Sequence, residues 1–246
     1  MTVRQSALAY LREVYLSVGS VFFYVLAPSI VFAVIWALRG GNTLNANFFL
    51  ASALMFAVVA SALDQMSIRL AEDRDDRTAP HRERDRIFAR LWAWVGIVLG
   101  ASLVVILVAA VTSPMSLSVS GWLRLFFSLV LGAVSIGFGA VTLSFWIAPD
   151  QISRWSKIGS FVLILGAGLI VPPFMLPALL WQLANILPTR HYTDIVWASG
   201  FGWPWPWAPT LWLGLFTVGF VVAAIVGAYR ATHRHRHGIA PVDGLS

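Results

Sequence analysis

Residues 171–198 read VPPFMLPALLWQLANILPTRHYTDIVWA. The run is apolar enough to enter a membrane, yet Pro172, Pro173 and Pro177 interrupt it. Proline lacks an amide donor and crowds the preceding turn, so a helix ends or kinks where it stands. The run then passes into a polar string, Pro188-Thr189-Arg190-His191-Tyr192-Thr193-Asp194. Broken backbone inside hydrocarbon is tolerated only where protein packs on it or it lines a cavity, because lipid supplies no hydrogen bonds. The sequence therefore predicts a short re-entrant helix over 174–187, with 188–194 making polar contacts at the membrane interface. One long kinked span with a polar exit is the competing reading.

The rest of the chain places this stretch in a membrane. Its 246 residues are 59% hydrophobic and only 11% charged, with a mean hydropathy of +0.78. Soluble domains carry about 25% charged residues, so a soluble fold is excluded in favour of a polytopic one. Apolar runs near the ~20 residues that cross a bilayer fall at 19–38, 47–63, 91–112, 122–147 and 208–229. A further run begins near Ile158 and reaches the prolines. About 14 residues separate Ile158 from Pro172, a rise of ~21 Å that falls short of the ~30 Å hydrocarbon core. Residues 2–18 are too polar to span. Val3, Ala7, Leu8, Leu11, Val14, Tyr15 and Val18 share one helical face there, as in a helix lying in the interface. Arg4, Arg12 and Glu13 interrupt any continuous leader-like core.

Basic residues orient the spans. Arg4 and Arg12, the loop residues Arg69, Arg74, Arg77, Arg82, Arg84, Arg86 and Arg90, then Arg154, Lys157, Arg230, Arg234 and Arg236 all fall on one side. Only Arg39, Arg124 and Arg190 fall on the other. Six spans with both termini cytoplasmic satisfy the positive-inside rule. The net charge of +6 then reflects topology, and nucleic acid is not an expected partner. Trp203-Pro204-Trp205-Pro206-Trp207 reads as an aromatic anchor at the headgroup level.

Several chemistries are absent. There is no cysteine, so thiol and disulfide chemistry are excluded. The one lysine, Lys157, follows Arg-Trp-Ser, so no GxxxxGK[ST] phosphate loop exists. No histidine falls inside an expected span, which removes paired haem ligands. His233, His235 and His237 alternate with arginines and read as a solvated basic tail. Asp194 is expected outside the membrane, and Asp64 alone near a membrane edge. With no ionisable group at mid-depth, an ion-coupled carrier is not expected.

The loop after the second span mixes both charges: Asp64-Gln65-Met66-Ser67-Ile68-Arg69-Leu70-Ala71-Glu72-Asp73-Arg74-Asp75-Asp76-Arg77. Pro80 ends its first helix, giving a helical hairpin suited to docking a partner, with charge pairs setting partner choice.

Together these features resemble the permease subunit of ABC-2 type exporters. In that family an outer segment P…LP…L…lP…hy…l recurs between spans 5 and 6. Here it stands as Pro173-Phe-Met-Leu-Pro177, Leu183 and Leu187-Pro188-Thr-Arg-His191-Tyr192. Ala71-Glu72-Asp73-Arg74 resembles the family's acidic-basic signature after span 2. The chain departs from the pattern at Asp76-Arg77 and the hydrophilic 81–86, where the family has a glycine and an apolar-basic stretch.

The resemblance implies an all-α membrane protein in the bacterial inner membrane. Its parts are an interface helix at 1–18, a six-span domain at 19–229 and a basic tail at 230–246. It implies a coupling loop at 64–90, with Arg12, Glu13, Glu72, Asp73, Arg74 and Arg77 facing an ATPase subunit. It also implies an outer gate within 172–207, formed by Pro172, Pro173, Leu176, Pro177, Pro188, Arg190, His191 and Tyr192. The expected partners are cytoplasmic ATPases, a second permease of the same or related sequence, and membrane lipid. No cofactor is expected in this chain, ATP and Mg²⁺ belonging to the ATPase. Two other readings stand beside it: a membrane enzyme acting on lipid through His191 and Asp194, and a non-transporting anchor for a cytoplasmic ATPase.

Overall fold

The computed structural model describes residues 8–12, 26–38, 43–75, 83–113, 116–168 and 177–236. Among these no strand occurs. After helical residues 8–12 come α1 (Ala27–Leu38), α2 (Thr43–Ser61), a π-helix (Ala62–Ser67) and α3 (Ile68–Asp75). Then follow α4 (Glu83–Thr112), α5 (Val119–Trp146), α6 (Pro149–Gly166), α7 (Ala178–Ala184), α8 (Pro188–Phe201) and α9 (Trp207–Arg236).

Local chemistry sets the ends. Ser118 caps α5 by accepting the Gly121 amide at 3.1 Å. Pro149 opens α6, with Asp150 in its first turn, where a fixed φ and a negative charge both suit a helix start. Gly202 takes a left-handed φ of 69° and stops α8, a conformation that costs glycine least.

Among the described residues four helices are long and apolar enough to cross a membrane: Ala46–Arg74, Ile87–Thr112, Val119–Trp146 and Trp207–Ala231. They coincide with the runs expected at 47–63, 91–112, 122–147 and 208–229. The run at 19–38 is described only from residue 26, ending in the twelve-residue α1. The run expected from Ile158 belongs to a helix that starts at Pro149, carries Asp150, Arg154 and Lys157, and ends at Gly166. Pro172, Pro173 and Leu176 lie outside the described residues.

The core is built on α2. This helix is apolar around its whole circumference, the pattern of a helix enclosed on all sides. It packs on α1, α4, α5 and α8, and Leu50, Leu54, Met55, Val58 and Val59 are fully buried. It continues through the π-helix, a wide turn that inserts an extra residue into the helical register. Two serines on this stretch bond to neighbouring helices. Trp94 Nε1 donates to the Ser61 hydroxyl at 2.9 Å. The Ser67 hydroxyl contacts Leu63 O and lies 2.8 Å from the Ser156 hydroxyl of α6.

Helices approach closely where side chains are small, as membrane packing requires. Gly200 of α8 sits against α2, where an added Cβ would meet Asn47 O at 3.3 Å and Ala51 Cβ at 3.4 Å. α9 runs along α5, fixed by Thr142 Oγ1 to Phe220 O at 2.8 Å and Trp146 Nε1 to Ala223 O at 2.9 Å. Its other side exposes Leu211, Leu215, Val218, Val222 and Ile225.

The bundle has two distinct ends. At one, Arg74, Asp73, Arg90, Trp146 and Arg230 gather. At the other, Asn47 Nδ2 reaches Ser116 O at 3.4 Å and Arg124 donates to Trp203 O at 2.9 Å. Trp203 and Trp207 are exposed there, as an aromatic anchor would be.

Candidate functional site

At the first end, charged side chains tie four segments together. Asp73 at the end of α3 accepts two hydrogen bonds from Arg90 of α4, from Nε at 2.7 Å and Nη2 at 3.0 Å. This is a two-point fork, the strong geometry for an arginine and a carboxylate. The same guanidinium lies over the Tyr10 ring, 3.2 Å from its centroid, and Leu11 packs against Ile97. Residues 8–12 are thereby held on the start of α4. Arg74 reaches to α5, donating to Ser144 O and, at 3.3 Å, to Ile147 O. Those carbonyls close a helix whose last turn has no intrahelical donors and carries the negative end of its dipole.

Two of the residues expected to face an ATPase, Asp73 and Arg74, thus engage this chain's own helices. Glu72 is exposed and pairs with Arg69 at 3.2 Å, a contact worth little at a surface. Arg12 is exposed as well. Glu13 and Arg77 lie outside the described residues. Arg90 and Tyr10 were not singled out by sequence, although Arg90 is the last basic residue before an apolar span.

The polar string at 188–194 lies inside the bundle. Pro188 opens α8, Pro177 caps the start of α7, and Pro188, Thr189, Arg190, Tyr192 and Thr193 are all buried. Thr189 Oγ1 donates to Leu163 O of α6 at 3.0 Å. The Thr193 hydroxyl lies 2.8 Å from Thr189 O and 3.2 Å from the Met55 sulfur of α2. Trp197 Nε1 bonds the Ser52 hydroxyl at 3.2 Å, and Ser199 and Ser128 hydroxyls meet at 2.7 Å.

Depth follows from Tyr192. Its ring, wholly buried, packs on Gly132, midway along α5 and ~20 Å from either end at 1.5 Å per residue. The start of α8 is therefore at mid-depth, and the helix runs outward to the Arg124 end. This corrects two expectations. Residues 188–194 are not an interface string, and ionisable groups do occur at mid-depth, namely Arg190, His191 and Asp194. The reason is tertiary: Gly132 and the small residues at 198–200 admit α8 into the bundle, which a hydropathy reading does not register.

Arg190 is only 6% exposed. Its Nη2 pairs with Asp194 Oδ1 at 2.7 Å, one helical turn on. The Trp181 and Trp197 rings lie 4.9 and 5.6 Å from its guanidinium carbon. Its Nε and Nη1 are buried without a hydrogen-bond partner, as is the Tyr192 hydroxyl. The His191 ring stacks at 6.0 Å on both Trp212 and Phe216 of α9. A second ionisable group, Asp64, sits in the π-helix with one carboxylate oxygen buried and unpartnered. Among the described residues no cluster of three or more histidine or carboxylate groups could hold a metal ion.

Fold and composition together define a helical membrane protein. The chain matches no protein-family model and no curated protein.

Proposed function

We propose that the chain is the permease subunit of an ATP-driven exporter of the ABC-2 type. In this reading it lies in the bacterial inner membrane with six spans and both termini in the cytoplasm, and pairs with a second permease and two separate ATPases. The observation that carries the reading is the broken course of the chain between α6 and α9. α6 stops at Gly166, a seven-residue α7 follows, and α8 starts again at mid-depth before the last span. Such interrupted helices are stable inside a bilayer only when buried in protein or lining a path, and an outer gate needs elements of this kind.

The charged end supplies a route for force. An ATPase pulling on the turn between α3 and α4 would act on α4 and the N-terminal segment through Asp73, Arg90 and Tyr10. It would act on α5 through Arg74. ATP and Mg²⁺ would be held by the partner, since this chain has no phosphate loop. The Arg190–Asp194 pair favours one competing reading, an ion-coupled carrier, because charges at mid-depth commonly mark ion paths.

Affinity purification from the native membrane tests the proposal. A companion carrying a phosphate-loop motif and hydrolysing Mg-ATP is expected to co-purify. Glu72→Arg is expected to lower its recovery several-fold while leaving the chain's thermal midpoint within about 2 °C, because exposed substitutions change stability by roughly 0.5 kcal/mol or less. Full ATPase recovery after deletion of 72–86 would contradict the docking role.

A further inference from the structure

Arg190 is a charge that the fold leaves incompletely matched. A guanidinium offers five N–H donors in a planar fork. Here one nitrogen meets Asp194, while Nε and Nη1 are shielded from solvent with no acceptor. Leaving a buried charged donor unmatched is costly. The surroundings are built and not incidental: two indoles flank the guanidinium, and the positive end of the fourteen-residue α8 points to the same depth.

The cover over Arg190 is thin. Trp181 belongs to α7, whose Leu179, Trp181 and Leu183 are exposed. Among the described residues α7 packs chiefly on α6, and its Trp181 ring meets Arg190 of α8. The Trp181 ring thus lies over the buried cation while belonging to a helix with an exposed apolar face.

We propose that Arg190 binds the anionic headgroup, a carboxylate or phosphate, of an amphipathic molecule whose apolar part lies along the exposed face of α7. As cargo chemistry this rests on the permease reading, but binding itself requires only this chain. The oxyanion accepts from Nε and Nη1, Trp181 moves with α7 to admit it, and Asp194 keeps its nitrogen.

The test uses the purified full chain in phosphatidylcholine nanodiscs, without any ATPase. Three probes of equal alkyl length are titrated: a carboxylate, a phosphate and a trimethylammonium. The carboxylate and phosphate are expected to bind at least tenfold more tightly than the ammonium. Arg190→Gln is expected to abolish that preference. Asp194→Asn, which frees the remaining nitrogen, is expected to strengthen anion binding, and it decides the matter should Arg190→Gln fail to fold. Equal affinity for all three headgroups, or a preference that survives Arg190→Gln, overturns the proposal. So does anion affinity unchanged or weakened in Asp194→Asn, the outcome of a purely structural ion pair. Adding phosphatidylglycerol to the discs separates two sources of the headgroup. Competition with the carboxylate probe identifies a membrane lipid, and its absence identifies a non-lipid amphiphile; either result retains the anion site. An anion preference in a chain that captures no ATPase would retain the site and sink the permease reading.

Discussion

Gly132→Ala is expected to destabilise the chain by about 3 kcal/mol or to prevent its folding, the upper part of the range for overpacking a core. A Cβ at this position would overlap the Tyr192 ring. The ring has nowhere to go, being wholly buried on a helix that is itself fixed to α2 and α6 through Thr193, Trp197 and Thr189. Interiors packed at crystal-like density transmit such a clash to the backbone, so α8 would be pushed out of the bundle. Loss of the monodisperse species on heating, followed by size-exclusion chromatography, measures the effect. Tyr192→Leu in the same chain should recover a large part of the loss, because the two positions share one space and their effects are not additive. A Gly132→Ala protein as heat-resistant as the wild type would show that α8 does not lie at this depth.

The second large effect concerns Arg90. Its side chain and that of Asp73 are 11% and 20% exposed, so the pair is mostly but not wholly removed from water. Breaking a fully buried pair costs 3–5 kcal/mol. With partial solvent screening, Arg90→Ala is expected to cost about 2 kcal/mol. The functional loss should be larger than the structural one. Removing Arg90 detaches α3 from α4 and releases Tyr10 together. On the proposed permease function, the complex with its ATPase is then expected to hydrolyse ATP while moving at least tenfold less cargo per ATP. Arg90→Lys should not restore coupling, because an ammonium cannot form the side-on fork and stacks poorly on an aromatic face. Transport per ATP unchanged in Arg90→Ala would remove the Asp73–Arg90–Tyr10 connection from the mechanism.

Much of the helical layout is readable from the chain itself. The apolar runs at 91–112, 122–147 and 208–229 became α4, α5 and α9, because twenty or more apolar residues leave a backbone in lipid no alternative to a helix. Pro177 and Pro188 stand where α7 and α8 begin, positions at which a missing amide donor is tolerated. Burial of the polar string was not readable. Thr189, Thr193 and Ser199 return their hydroxyls to carbonyls one turn back within α8 or to α6, so a hydropathy scale counts as exposed what the helix has already satisfied. Gly132 was the available signal, a residue without a side chain in the middle of a long apolar run.

The charged loop failed in the opposite sense. Glu72-Asp73-Arg74 reads as one solvated docking patch, but helical geometry divides it. Glu72 points outward while Asp73 and Arg74 turn to α4 and α5. Nothing in the local sequence tells a surface pair from one that joins helices far apart along the chain. Likewise no residue type announces the π-helix at 62–67.

On the proposed function, this chain moves cargo only with force supplied by a nucleotide-hydrolysing companion. The direct measurement is cargo movement across sealed vesicles holding the purified chain, with and without its co-purified companion, under ATP or under proton and sodium gradients. Transport that requires the companion and Mg-ATP, and that ion gradients alone do not drive, is the predicted result. Accumulation driven by an ion gradient in vesicles holding this chain alone would contradict it and would make Arg190 and Asp194 part of an ion path.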